Sequence, residues 1–276
     1  MATTEPHHSA QESNPEGNLL VEKTAALDVS TPTPTKATET VSVEKPVEAP
    51  QNIETVKLPN GPVVEPFPNP SPSSEPPPQP ELSSDETNKY VELLDIVKGW
   101  TEIPIKSTPN SSKEPINDQD RLFLTRDCLL RYLRATKWVV AAAAKRLSET
   151  LTWRREYGLL GFTHDYISPE NETGKQVILG YDNEARPCLY LNPSKQNTER
   201  TPRQLQHLFY NLERVIDLMG PGQESLSLLI NFMDTRRGQG ASIAQARETM
   251  NVLQNHYPER LGRALITERK YNFNII

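Results

Sequence analysis

The chain has 276 residues, 25 of them proline, and a formal net charge of −6 at pH 7. The first 80 residues hold 16 of those prolines and a net of −7, which leaves the remainder nearly neutral at +1. Residues 1–84 are therefore expected to form a disordered acidic tail rich in Pro, Ser, Thr and Glu, because so little apolar surface cannot offset the entropy of ordering. No run of 18 apolar residues exists, so no transmembrane helix is expected, and the opening MATTEPHHSA lacks the basic and apolar regions of a signal peptide. Cys128 and Cys188 fit no metal-ligand spacing and read as two reduced thiols in apolar segments.

Past the tail, Leu93, Leu94, Val97 and Trp100 recur at helical spacing and predict a helix from about Asp85 to Trp100. A polar loop, Thr101 to Asn117, follows. Leu129, Tyr132 and Leu133 mark one face of a helix from Arg126 to Ala135, with Arg131 and Arg134 pointing elsewhere. A longer helix is expected from about Val139 to Tyr157, and Gly158 suits its C-terminal cap. Together these give an all-α unit over residues 85–160.

The periodicity then changes, opening a second unit over residues 165–266. Gln176–Tyr181 and Cys188–Leu191 read as a hairpin about an Asp182-Asn183 turn. Pro202 sits near the start of a helix with a wide apolar stripe that includes Leu205, Leu208, Phe209 and Leu212, and Gly220-Pro221-Gly222 ends it. Leu226–Phe232 is nearly all apolar and reads as a central strand buried on both faces. A helix from about Ser242 to Tyr257 stops at Pro258, and Ala264-Leu265-Ile266 begins another buried strand. Strands alternating with helices give an α/β fold.

No catalytic set is evident. His207 and His256 each lie on an amphipathic helix, no Ser or Cys falls in a nucleophile motif, and glycine-rich phosphate loops are absent. Between residues 121 and 155 nine bases face only two acids, a net of +7. Arg131, Arg134, Lys145 and Arg146 in this stretch could dock on an anionic membrane, or could simply be solvated helix faces. Nucleic acid is disfavoured, since no nucleic-acid motif accompanies the charge.

Several spaced motifs carry a family resemblance over about residues 120 to 266. LLRYLRATKW (129–138) followed by TWRRE (152–156), then GKQVILGYDNEARPCLYL (174–191), Gln196-Asn197-Thr198 and NHYPERLG (255–262), resemble the CRAL-TRIO lipid-binding family. The match extends to its helical N-terminal unit, and the wording is similar to the fungal phosphatidylinositol transfer proteins of the drug-resistance branch. The resemblance implies the fold: a helical N-terminal unit followed by a partial mixed-sheet lipid-binding domain. It also implies a non-enzymatic carrier of phosphatidylinositol, or of a sterol, that regulates lipid metabolism. The carrier would need no cofactor other than the bound lipid. It would be a cytoplasmic monomer, peripherally associated with membranes or lipid droplets.

A lipid carrier needs a dry cavity and a few polar groups for the headgroup. Val177, Ile178, Leu189, Leu228 and Ile230 would floor the cavity, with Leu208, Leu212 and Met250 covering it, although each could equally be ordinary core. The resemblance assigns Glu259 and Lys137 to the inositol phosphate, with Arg260 beside them, whereas a structural salt bridge is the plain alternative for Glu259 and Arg260. The family's Arg before that Lys is replaced by Thr136 here, so one phosphate donor is lost, and the Ser and Thr that hold choline phospholipid in some members correspond to Leu226 and Leu228, so phosphatidylcholine is not an expected ligand. Asn231 stands where the family usually has Asp, and residues 233–238 diverge. Residues 267–276 read as a divergent tail in place of the family's further strands, which suggests a C-terminal truncation. The competing reading is therefore a lipid-free fragment acting only as a membrane-docking or protein-interaction module.

Overall fold

The structure, a computed structural model, describes residues 61 and 65–267. Nearly all of the tail expected to be disordered, and residues 268–276 of the segment 267–276 expected to diverge, lie outside the described residues. Every described residue falls within one compact unit, Thr55–Ile276.

Helix α1, Ser84–Lys98, starts where Ser83 and Glu86 form a reciprocal capping box, and it buries Leu93 and Val97. The expected loop contains a small antiparallel ribbon, β1 (Glu102–Pro104) with β2 (Lys113–Pro115), three residues a side. It leads into α2, Asp118–Phe123, capped by Asn117. Helix α3, Arg126–Ala135, has the predicted bounds, and Thr125 caps it. Helix α4, Val140–Tyr157, ends on Gly158 at φ 69°, a left-handed position that glycine adopts without penalty. Leu93, Leu129, Leu133 and Leu147, none of them accessible to solvent, close the core that these helices share. A further short helix, α5 (His164–Asn171), precedes the sheet.

The sheet has the order β3-β4-β5-β6. Strands β3 (Gln176–Tyr181) and β4 (Pro187–Leu191) form the expected antiparallel hairpin. Strand β5 (Leu226–Asn231) runs parallel to β4, and β6 (Leu261–Thr267) runs parallel to β5. The crossovers are α6, Arg203–Asp217, and α7, Ile243–His256. The result is the mixed α/β architecture read from the sequence.

Two burial expectations are corrected. Strand β5 is central, yet only Leu226 and Ser227 are buried and its last four residues are half-buried. Strand β6 forms, but all seven of its residues are exposed. It is the sheet's terminal strand among the described residues, so it packs on β5 along one edge while Leu265 and Ile266 remain half open.

Candidate functional site

Side chains alternate across a strand, so register decides which residues share a face. Ile178 pairs with Leu189, and Leu189 with Leu228; Gln176 pairs with Leu191, and Leu191 with Ile230. This face is covered by α6, whose Phe209, Leu212 and Val215 are buried against it. The opposite face carries Val177, Tyr190, Ser227 and Leu229.

Between the covered face, α6 and α7 lies a cavity of about 580 Å³. It is lined by Leu189, Leu228 and Ile230 from the sheet, Leu208 and Leu212 from α6, and Met250 from α7. These are six of the eight residues expected to line it. Val177 and Ile178 are not among the lining residues. Adjacent strand residues cannot both face one side: Val177 points to the opposite face, while Ile178 packs into the core beside the cavity. The sequence reading missed Leu191, Leu253 and Tyr257, which complete the apolar wall.

The turn after α7 supplies the cavity's polar end. Tyr257 is buried and donates to Glu213 Oε1 at 2.7 Å; Glu213 is held in turn by Arg154 through two bonds of 2.8 and 2.9 Å. Burial pushes the Tyr257 hydroxyl well above its ordinary value, so it acts only as a neutral donor. Pro258, Glu259 and Arg260 then line the cavity. Glu259 sits at φ 59°, a left-handed conformation unusual for a side chain of this size. There its carboxylate accepts from Arg134 Nε at 2.6 Å. Gly262 follows because a Cβ there would overlap Arg186 and Ser225.

Arg260 differs from its neighbours. Its Nη1 donates to the Glu224 carbonyl at 2.8 Å and lies 3.4 Å from the Met219 sulfur. It has no carboxylate partner among the described residues. Burial, reinforced by the nearby Arg131 charge, lowers its pKa to about 10. Glu224 and Glu213 act on it only at a distance, so a guanidinium partly withdrawn from water and free of a contact ion pair can still take an anion that reaches it.

The four docking cations are corrected in part. Arg131 is buried and pairs with Glu224 at 3.2 Å. Arg134 binds the same carboxylate at 2.9 Å as well as Glu259. Arg146 donates to the Gln254 and Asn255 carbonyls and lies over the Tyr132 ring. Only Lys145 of the four stands in solvent, near Glu149 at 3.7 Å. The net of +7 is thus largely neutralised by acids outside the counted stretch: Asp120, Glu213, Glu224 and Glu259. Lys137 is exposed, at φ 54°, and is not part of the cavity lining. Arg134, rather than Lys137, is the helical unit's contact with Glu259.

The histidines are structural. His207 is fully buried between Asn171 and Asn211, and His256 stacks on Trp153 at 4.5 Å and bonds Thr150 at 3.0 Å. Burial lowers both to about 4. Among the described residues no group of His, Cys, Asp and Glu could hold a metal, and no helix is long and apolar enough to cross a membrane.

Comparison with known proteins gives this arrangement a context. The CRAL/TRIO domain matches residues 171–274, and the CRAL/TRIO N-terminal domain matches residues 89–149. A CRAL-TRIO domain-containing protein of Schizosaccharomyces pombe is 50% identical over 185 residues, covering 67% of this chain and 18% of that protein. The phosphatidylinositol transfer protein PDR17 of Saccharomyces cerevisiae is 37% identical over 203 residues, covering 67% of this chain and 58% of that protein. The chain thus spans less than two thirds of the length of either relative. The crystal structure of Sfh5 superposes with a TM-score of 0.50 over 68% of this chain and 72% of that one; at 11% identity it bears on the fold alone. Two domain matches that together span more than half of the chain, in the order of the helical unit and the sheet, place it in the CRAL/TRIO family.

Proposed function

We propose that the chain binds phosphatidylinositol in the cavity, accepts a sterol as an alternative occupant, and carries lipid between membranes without catalysing a reaction. The observation that carries this reading is Arg260, a half-buried guanidinium with no carboxylate in ion-pair contact, at the polar end of a largely apolar cavity. Acyl chains would lie along Leu191, Leu208, Leu228 and Ile230, and the phosphate would meet the guanidinium in a charge-assisted pair. Glu259, held by Arg134, can accept hydroxyl donors of the inositol ring. Leu226 and Leu228 line the cavity and offer a choline phosphate nothing, which supports the exclusion of phosphatidylcholine. The similarity to PDR17, whose name states phosphatidylinositol transfer, supports the same ligand. Docking on an anionic membrane would be peripheral and would draw on the exposed Lys137 and Lys145, in a cytoplasmic, monomeric carrier.

The test is to incubate the purified chain with mixed vesicles of phosphatidylcholine and phosphatidylinositol, reisolate it and identify the bound lipid. About one phosphatidylinositol per chain in the wild type, and at least tenfold less in Arg260→Met, is expected. Equal loading of the two would overturn the role of Arg260. No lipid at all would favour the lipid-free interaction module, a reading that the exposed Leu261, Leu265 and Ile266 on the terminal strand would then explain.

A further inference from the structure

The cavity continues into a smaller pocket of about 170 Å³ of a different character. The two share Leu191, Leu208 and Thr249 in their walls. Register places this pocket opposite Arg260. The Arg260 carbonyl bonds the start of β5 at Leu226 N, 2.8 Å, whereas the pocket adjoins the far ends of β4 and β5, where Gln176 pairs with Leu191 and Leu191 with Ile230. From Leu226 to Ile230 is four residues, about 13 Å of strand.

The pocket is lined by amides: Gln176, Gln196, Gln204, Gln239 and Gln245. Four of these are committed. Gln245 donates to Gln204 at 3.3 Å, Gln204 to the Glu199 carbonyl at 3.0 Å, Gln196 to the Thr198 carbonyl at 2.9 Å and Gln239 to the Ser194 carbonyl at 2.6 Å. The charges nearby are committed too. Lys175 is buried on Glu170, and Arg200 spends its guanidinium on the Gly238 and Gly240 carbonyls and Gln245. Two groups remain. Gln176 accepts from Asn211 at 3.1 Å, but its own amide N–H donors have no partner among the described residues, and neither has the Thr249 hydroxyl. Two amide N–H donors and one hydroxyl, unpaired at the end of an apolar cavity beside an Arg200 whose charge is exposed to solvent, complement an uncharged group that both accepts and donates.

We propose that Gln176 and Thr249 form a second polar subsite for the hydroxyl of a neutral lipid, bound with its apolar body in the main cavity and its polar end opposite Arg260. The inference rests on the cavity's being a lipid site, as proposed above. It assigns the two ends to different chemistries: phosphate at Arg260, an uncharged hydroxyl at Gln176. A sterol and a diacylglycerol both present that hydroxyl, and the probes separate them.

Full-length chain is mixed with phosphatidylcholine vesicles doped with dehydroergosterol, with dioleoylglycerol or with phosphatidylinositol, and the bound lipid is measured after reisolation. The wild type should take up at least one of the two neutral lipids. Gln176→Leu and Thr249→Val should each lower the ratio of neutral lipid to phosphatidylinositol bound by about tenfold, roughly the effect of one lost buried hydrogen bond. Thr249→Ser, which keeps the hydroxyl, should restore the ratio and guards against a folding defect. An unchanged ratio in both variants overturns the proposal, as does a wild type that takes phosphatidylinositol but neither neutral lipid; in both cases the lipid reading itself survives. A wild type that takes none of the three defeats both.

Discussion

The helical core and the cavity wall are built from the same residue, leucine, and differ in what covers it. Leu93, Leu129, Leu133 and Leu147 interlock with no solvent access, whereas Leu191, Leu208 and Leu228 pack on one side and line the cavity on the other. Apolar side chains pointed at a void forgo the contacts that stabilise a core. The fold tolerates that loss because the helical unit is closed and Phe209 and Val215 of α6 are sealed beside the cavity. The proposed lipid site thus lies where packing stops.

This contrast can be broken by mutation. Leu133→Ala should cost about 2–5 kcal/mol, read from the denaturant midpoint, because it opens a hole in a sealed core. Next in size is Glu224→Ala, which strips the shared counter-ion from Arg131 and Arg134 and should cost about 3 kcal/mol. Arg260→Met provides the opposite sign beside it: removing a guanidinium that makes no contact ion pair should leave stability equal or higher while lipid loading falls. Leu228→Ala should cost no more than about 1 kcal/mol, since its methyl groups already border a cavity. A loss as large as that of Leu133→Ala would mean the cavity collapses in solution.

Stability should also depend on pH. His207 and His256 are held near 4 in the folded chain against an ordinary 6.5, so the unfolded chain binds protons first as pH falls. Their contribution is complete above about pH 6.5 and is lost progressively towards pH 4. The thermal midpoint should drop over that window, and less steeply in His256→Gln. A slope unaltered by that substitution would show that carboxylates alone account for the drop.

What was legible in the sequence follows from the range of the interactions. Helix α3 was bounded correctly because its signals are local: Thr125 caps it and its apolar face repeats within ten residues. Strands β3 and β4 were legible from alternation and a turn. Three-residue strands β1 and β2 carry no period and were read as loop. In the site, the YPER segment located Glu259 and Arg260 by motif, and six cavity residues followed from apolar faces. Val177 failed because one strand cannot aim neighbouring residues at the same cavity. The partners of Arg131 and Arg134 were invisible because Glu224 lies 93 and 90 residues away. No local pattern distinguishes a free surface arginine from one that will meet a carboxylate so distant. Gln176 and Thr249 were missed for the same reason: strand register and a helix 73 positions on bring them together.

The most direct test of the central claim is native mass spectrometry of the chain after loading with phosphatidylinositol vesicles, wild type beside Arg260→Met. The account predicts a wild-type species heavier by one phosphatidylinositol and a bare variant of equal or greater thermal stability. A variant that retains the lipid as fully as the wild type would contradict it.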